Sequence, residues 1–186
     1  MKLMQLPFEA FRFLGLALYR AAGWRVEGEP PAAKKFVVIA APHTSNWDLP
    51  LMLGVALKFR IRLHWMGKDS LFRPPFGWFM RALGGIAIDR SKANNVVTQM
   101  IDVFNAADML AVAIPPEGTR SKVRYWKTGF YHIAHGAGVP IVLGFLDYKR
   151  KVGGIGMTIT ASGDYDRDLE IIKTFYAGVT PKHAER

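Results

Sequence analysis

Phe36-Val37-Val38-Ile39-Ala40-Ala41-Pro42-His43-Thr44-Ser45-Asn46-Trp47-Asp48 begins as a short apolar, β-branched run, crosses a polar turn and enters a helix expected over about Trp47–Lys58. A run of that length and composition reads as a buried strand. From residue 36 onward strands and helices alternate. Leu63–Met66 is a second strand, and Phe76–Leu83 is a helix stopped by Gly84-Gly85, a natural helix end. Ile86–Ile88 is a short strand, and Ala93–Ala107 places Val97, Ile101 and Phe104 at helical spacing. Met109–Ile114 is a buried strand that stops at Pro115-Pro116, and a basic loop then leads to a helix over Gly129–Ala137. Pro140–Leu146 is another buried strand, Lys151–Ala161 a glycine-broken one, and Asp164–Gly178 a last helix with Asp164 as its N-cap. This alternation predicts an α/β fold with a central, mostly parallel sheet covered by helices.

Working back toward the N-terminus, residues 7–22 read as a helix opened by Pro7, a residue favoured at the first helical position. Gln5, Glu9, Arg12, Tyr19 and Arg20 share one narrow polar stripe, while Phe8, Phe11, Phe13, Leu14, Ala17, Leu18 and Ala21 cover nearly everything else. An apolar face that wide is either packed on the domain or laid in a bilayer interface. The chain is expected to be one domain over 1–186, with 1–24 an amphipathic, membrane-associating helix.

Composition narrows the classes. The 186 residues are 50% hydrophobic and 12% aromatic, enough for a real core and unlike a disordered tail. No cysteine is present, which excludes disulfides, thiolate metal sites and a Cys nucleophile. The net charge of +10 attracts an anionic partner: nucleic acid, acidic lipid headgroups or an acidic carrier protein. No recognised nucleic-acid motif accompanies it, so none is expected as a partner. The N-terminus lacks the uninterrupted apolar core and small-residue cleavage site of a signal peptide. No run reaches the ~18 apolar residues of a spanning helix. Contact with a membrane is therefore expected to be peripheral, on its cytoplasmic side.

Four segments carry the chemistry. Pro42 to Asp48 follows a buried strand, where α/β domains place ligand sites. A His with an Asp five residues on, across a turn, can form an imidazole–carboxylate pair in which the Asp fixes the tautomer and the other ring nitrogen takes a proton from a hydroxyl. A structural histidine, or an aspartate capping the next helix, fits the same spacing. Gly84 to Arg90 ends a strand in Asp89-Arg90 and puts a guanidinium in a loop, where a surface ion pair is the plain alternative. Pro115 to Ser121 ends the most apolar strand. Gly118 there permits close backbone approach, Arg120 suits a phosphate in bidentate fashion, and Lys122, Arg124 and Lys127 continue the positive charge. Val139-Pro140-Ile141-Val142-Leu143, taken alone, is a core strand. His132 and His135 lie three apart on a helix with nothing nearby to complete a metal-ligand set.

The order and content of these four segments resemble the glycerolipid acyltransferase family, which includes the 1-acylglycerol-3-phosphate (lysophosphatidic acid) acyltransferases. That family carries an HxxxxD block, a block ending in I-D-R, a P-E-G-T-R-S block and a V-P-I-V block. Here they are His43 to Asp48, Ile88-Asp89-Arg90, Pro116 to Ser121 and Val139 to Val142, spread over about residues 36–146. The sequence departs from the pattern at Pro42, where Asn is frequent, at Pro115, where Phe is usual, and at Leu143, which replaces a second proline.

The resemblance implies an O-acyltransferase of phospholipid biosynthesis in which His43, oriented by Asp48, is the general base. A fatty-acyl group would pass from acyl-CoA or acyl-ACP to the hydroxyl of a lysophospholipid or related lipid, with no cofactor or metal. Arg90, Glu117, Gly118, Thr119 and Arg120 match the positions used for the acceptor's polar head. An apolar tunnel for the acyl chain is also implied, with Trp65, Met66, Phe72, Phe76, Trp78 and Phe79 as possible lining and plain core packing as the alternative. An anionic membrane surface, the acyl thioester donor and the lipid acceptor are the expected partners. Two other functions remain in view: a non-catalytic membrane-surface binding protein, and a thioesterase-like hydrolase using the same groups on water.

Overall fold

The computed structural model describes residues 5–89, 93–118, 123 and 125–183, and the side chains of 5–8, 11 and 93–95 lie outside that description. The elements in chain order are α1 (Gln5–Ala21), β1 (Arg25–Glu27), β2 (Lys35–Ala40), α2 (Asp48–Phe59), β3 (Leu63–Lys68), a 3₁₀ turn (Asp69–Phe72), α3 (Gly77–Ala82), β4 (Gly85–Ile88), α4 (Ala93–Ala106), β5 (Leu110–Ala113), α5 (Gly129–Gly136), β6 (Ile141–Asp147), β7 (Val152–Ile159) and α6 (Tyr165–Tyr176). The alternation read from the sequence is therefore present. The additions are β1 and the 3₁₀ turn, and α1 starts two residues before Pro7. Asp164 caps α6 by accepting the Arg167 N–H at 3.1 Å.

The strands form one seven-stranded sheet in the order β1-β7-β6-β2-β5-β3-β4. All neighbours run parallel except β6 and β7, which pair antiparallel. The centre is β2, flanked by β5 and β6, with Val37 opposite Ile141 and Val38 opposite Ala113. Its residues alternate between two cores, which is why Phe36–Ile39 is apolar without a break. Val37 and Ile39 face α4, α5 and α6, where Met100, Phe104, Phe130, Ile133, Ile172 and Tyr176 are buried. Phe36 and Val38 face α1 and α2, against Tyr19, Trp24, Met52 and Val55.

The 3₁₀ turn and α3 share the α2 face. Leu63 pairs with Ala111, so Leu63, Trp65 and Gly67 point alternately to that side. Phe72 packs over Gly67 and Gly85 there, with its ring 5.9 Å from Trp65.

The orientation of α1 inverts the usual pattern for a surface helix. Its polar stripe turns toward the domain: Glu9 pairs with Arg12 and with Arg60 at the end of α2, and Tyr19 is buried over Gly54. A Cβ at Gly54 would run into the Tyr19 ring, so glycine is what allows the two helices to meet this closely. The apolar face points outward, with Phe13 76%, Leu14 59% and Leu18 63% exposed. Leu49, Leu53, Leu71, Phe76, Trp78, Phe79 and Leu83 are also exposed in the same layer. In α4, α5 and α6, Ile171 is the large apolar residue that is exposed among the described side chains.

Candidate active site

Three adjacent parallel strands deliver the site. β5, β2 and β6 end at the same edge of the sheet, and the segments that follow them carry Glu117, His43 and Tyr148. The helix after β2 covers one face and the helix after β5 covers the other. A crevice at such a reversal is where open α/β sheets hold ligands.

His43 Nδ1 lies 3.0 Å from Asp48 Oδ2. The carboxylate selects the tautomer with the proton on Nδ1, which leaves Nε2 as the basic nitrogen. The His43 side chain is 29% exposed, whereas that of Asp48 is 7% exposed. The imidazole is thus reachable while its partner is shielded. Asp48 opens α2, yet it does not cap that helix: its carboxylate turns back into the preceding loop. Oδ2 accepts the Thr44 and Ser45 N–H groups at 3.0 Å each as well as the imidazole, and Oδ1 accepts the Tyr148 hydroxyl at 2.6 Å. Burial by itself raises the Asp48 pKa. The donors from His43, Tyr148 and Ser45 more than offset burial and hold the carboxyl below its ordinary value.

Glu117 completes the frame from the other side. Its Oε2 accepts the backbone N–H of His43 at 2.8 Å. Burial raises its pKa and the Asp48 charge adds to the rise, against the His43 N–H, which lowers it. Pro115, Pro116, Glu117 and Gly118 form a tight turn in which the Gly118 N–H donates to Pro115 O and the Lys127 N–H donates to Pro116 O. Gly118 has φ +64°, and a Cβ there would stand 2.7 Å from Lys127 Nζ. This position needs glycine both for its backbone and for the lysine that lies against it.

Of the residues expected at the site, His43, Asp48, Glu117 and Gly118 come together. Arg90, Thr119 and Arg120, with Ser121, Lys122 and Arg124, lie outside the described residues. The loop that leads to Arg90 is held at Asp89, whose backbone N–H and C=O bond the Gln99 side chain at 3.2 and 3.1 Å. The Val139–Val142 block lies at the opposite end of the sheet and is core: Val139, Ile141 and Val142 are buried. Of the aromatic residues set out for a tunnel, Phe72 is buried, whereas Phe76, Trp78 and Phe79 are exposed. Ser45 is buried and its Oγ accepts the Trp47 N–H, consistent with a structural role. Among the described residues no group of three or more metal-ligating side chains occurs, and no helix is long and apolar enough to cross a membrane.

Two features were not legible. One is Tyr148, which belongs to none of the four blocks. Its signal is its place just beyond a buried strand, useful only once that strand is known to lie beside β2. The other is the use of the turn amides. The His43, Thr44 and Ser45 N–H groups are already engaged by carboxylates, so they hold the dyad and are not free to receive an oxyanion.

A family model described as Acyltransferase matches residues 23–142, the segment that contains the dyad, the Glu117 turn and the strands beneath them. The chain belongs to this acyltransferase family. Individual family members point the same way. The 1-acyl-sn-glycerol-3-phosphate acyltransferase of Haemophilus influenzae is 34% identical over 135 residues, covering 67% of this chain and 55% of that protein. The enzyme of that name from Escherichia coli K12 is 31% identical over 130 residues, 64% of this chain and 51% of that one. The one from Saccharomyces cerevisiae is 35% identical over 130 residues, 63% and 41% respectively. The chain thus spans about half the length of the relatives it matches. The crystal structure of the 1-acyl-sn-glycerophosphate (LPA) acyltransferase from Thermotoga maritima superposes with a TM-score of 0.61 at 21% identity, over 97% of this chain and 86% of that one, and shares the fold.

Proposed function

We propose that this protein transfers a fatty-acyl group from a thioester carrier to the hydroxyl of 1-acylglycerol 3-phosphate or a related lysophospholipid at a membrane surface. The observation that carries the proposal is the His43–Asp48 pair, with Nδ1 held at 3.0 Å and Nε2 left as base. Nε2 takes the proton of the acceptor hydroxyl as its oxygen attacks the thioester carbonyl carbon. The C–S bond of the resulting tetrahedral intermediate breaks, and the thiolate leaves with the proton from the imidazolium. An ester and a free thiol are formed, and His43 returns to its starting state. Asp48 stabilises the imidazolium formed in between. The choice of acceptor follows the names of the relatives and the I-D-R and P-E-G-T-R-S matches, in which Arg90, from the first, and Thr119 and Arg120, from the second, are assigned to the anionic head with Glu117 and Gly118. CoA and acyl carrier protein are the two donors to be compared.

The membrane surface follows from α1 and the layer around it. An apolar face turned outward from a folded domain wants an apolar environment, and Lys58, Arg60, Arg62, Lys68, Arg73 and Arg81 supply charge for anionic headgroups.

The test incubates purified protein with labelled acyl-CoA or acyl-ACP and a panel of lysophospholipids in vesicles. Expected is a labelled diacyl product that His43→Ala nearly eliminates. Release of free fatty acid without an acceptor would make the protein a hydrolase. No turnover of either thioester would make it a binding protein.

A further inference from the structure

Asp48 is held through two different oxygens by two different parts of the chain. Oδ2 takes the imidazole and the loop amides, while Oδ1 takes the Tyr148 hydroxyl from 100 residues away. We propose that Tyr148 is a positioning residue, whose hydroxyl, seated by Trp24, sets the plane of the Asp48 carboxylate so that Oδ2 faces the His43 ring. The proposal rests on His43 being the base.

Tyr148 is placed by its surroundings on every side. It follows directly on β6, and the turn after it is closed by Asp147, which is 2% exposed and accepts the Arg150 N–H at 3.0 Å and Nε at 2.7 Å. The Tyr148 N–H donates to Thr180 O at 2.9 Å. Its ring meets Trp24 edge-on at 5.0 Å, and Trp24 in turn meets Tyr19 of α1 at 6.0 Å. Trp24 is buried in the core that includes Tyr19 and Val38. A ring fixed in this way offers its hydroxyl in one direction. That matters because a carboxylate anchored at one oxygen can still rotate about its side-chain bond, and rotation would swing Oδ2 off the imidazole. A donor on Oδ1 removes the freedom and satisfies a buried acceptor. Outward-facing α1 is thereby linked to the dyad through two ring contacts and one hydrogen bond.

The experiment replaces only the hydroxyl, Tyr148→Phe, and observes the His43 Nδ1–H by imidazole ¹⁵N–¹H NMR, with His64, His132 and His135 as internal references. Without the hydroxyl the Asp48 carboxylate is free to turn and Oδ2 leaves the imidazole, so the Nδ1–H signal, held downfield and protected from exchange by that hydrogen bond, moves upfield and exchanges faster with water. On the acyl-transfer assay kcat falls about 10- to 100-fold, the worth of a hydrogen bond to a charged group, while both KM values stay close to wild type. An unchanged Nδ1–H signal in folded Tyr148→Phe overturns the proposal, and so does an unchanged kcat. If the wild-type protein turns over no acyl thioester, the Nδ1–H signal decides alone, and the fault lies with the acyl-transfer reading. If Tyr148→Phe does not fold, Trp24→Leu decides in its place: it keeps the hydroxyl but removes its seat, and must move the signal in the same direction.

Discussion

The carboxylate of Glu117 accepts the backbone N–H of His43 at 2.8 Å, joining two motif segments that stand 74 residues apart in sequence. The side chain of the P-E-G turn therefore acts on the backbone that carries His43, and any role toward substrate has to be shared with that contact. Its neighbour Gly118 is spent on the backbone turn and on the approach of Lys127.

Glu117→Gln keeps an acceptor for the His43 N–H, whereas Glu117→Ala leaves that donor without one. The alanine variant is expected to lose about 1–3 kcal/mol of stability and most of its activity, with glutamine close to wild type in stability. Urea denaturation with parallel kcat measurements separates them. The raised carboxyl pKa also fixes a sign. Stability contributed by the protonated group is fully present below the ordinary value of 4.5 and is lost as pH rises through the raised value. In Glu117→Gln that part of the pH–stability curve should be missing.

Asp48→Asn replaces an acceptor on which three donors converge at one oxygen with a group that must offer N–H₂ to one side. It also removes the charge that supports the imidazolium. The expected loss is on the order of 10³- to 10⁴-fold in kcat, as for an aspartate behind a catalytic histidine elsewhere. Retention of more than a tenth of wild-type turnover in folded protein would exclude the dyad mechanism.

Asp168, far from the dyad, tests acid stability. It is 5% exposed and accepts the Ser162 N–H at 2.7 Å, the Tyr131 hydroxyl at 2.8 Å and the Ser162 hydroxyl at 2.9 Å. Burial raises its pKa, but these donors outweigh burial and lower it overall. Its contribution is therefore present above the ordinary value of 3.8 and is lost as pH falls through the lowered one. Asp168→Asn should cost about 2–3 kcal/mol near neutral pH and flatten the acid limb of thermal unfolding, with turnover per folded molecule unchanged. Asp48 and Asp147, also lowered, leave a residual slope.

Phe13→Ser, Leu14→Ser and Leu18→Ser combined remove the outward apolar face of α1 without touching Tyr19. Since a buried Phe or Leu is worth about 1.5–3 kcal/mol, partition onto anionic vesicles should weaken by well over 10-fold at high salt. Stability in buffer should be unchanged, because these side chains already face water. Sedimentation with phosphatidylglycerol vesicles and a thermal melt check both halves. If the triple variant binds vesicles as wild type does, α1 is not the membrane element.

The α1 helix shows what periodicity reveals and what it leaves open. Its narrow polar stripe is plain from Glu9, Arg12 and Tyr19, but spacing alone says only that two faces differ. Which face turns inward depends on a partner that periodicity does not name. The partner is α2, whose Gly54 admits Tyr19 and whose end presents Arg60 to Glu9. The result is a polar stripe inside and an apolar face outside.

Alternation of strands and helices, the buried character of Phe36–Ala40 and Pro140–Leu146, and a spacing that lets His43 reach Asp48 can be read from the order of residues alone. Each of these depends on residues close together in the chain, where period, turn chemistry and short spacing suffice. That β5, β2 and β6 lie side by side is not readable in this way. Strand order is set by packing both faces of the sheet at once, and local pattern carries no record of it. That order is what brings Glu117 to the His43 amide and Tyr148 to the far oxygen of Asp48, so the His43–Asp48 spacing was legible in the sequence and the frame that holds the two side chains was not.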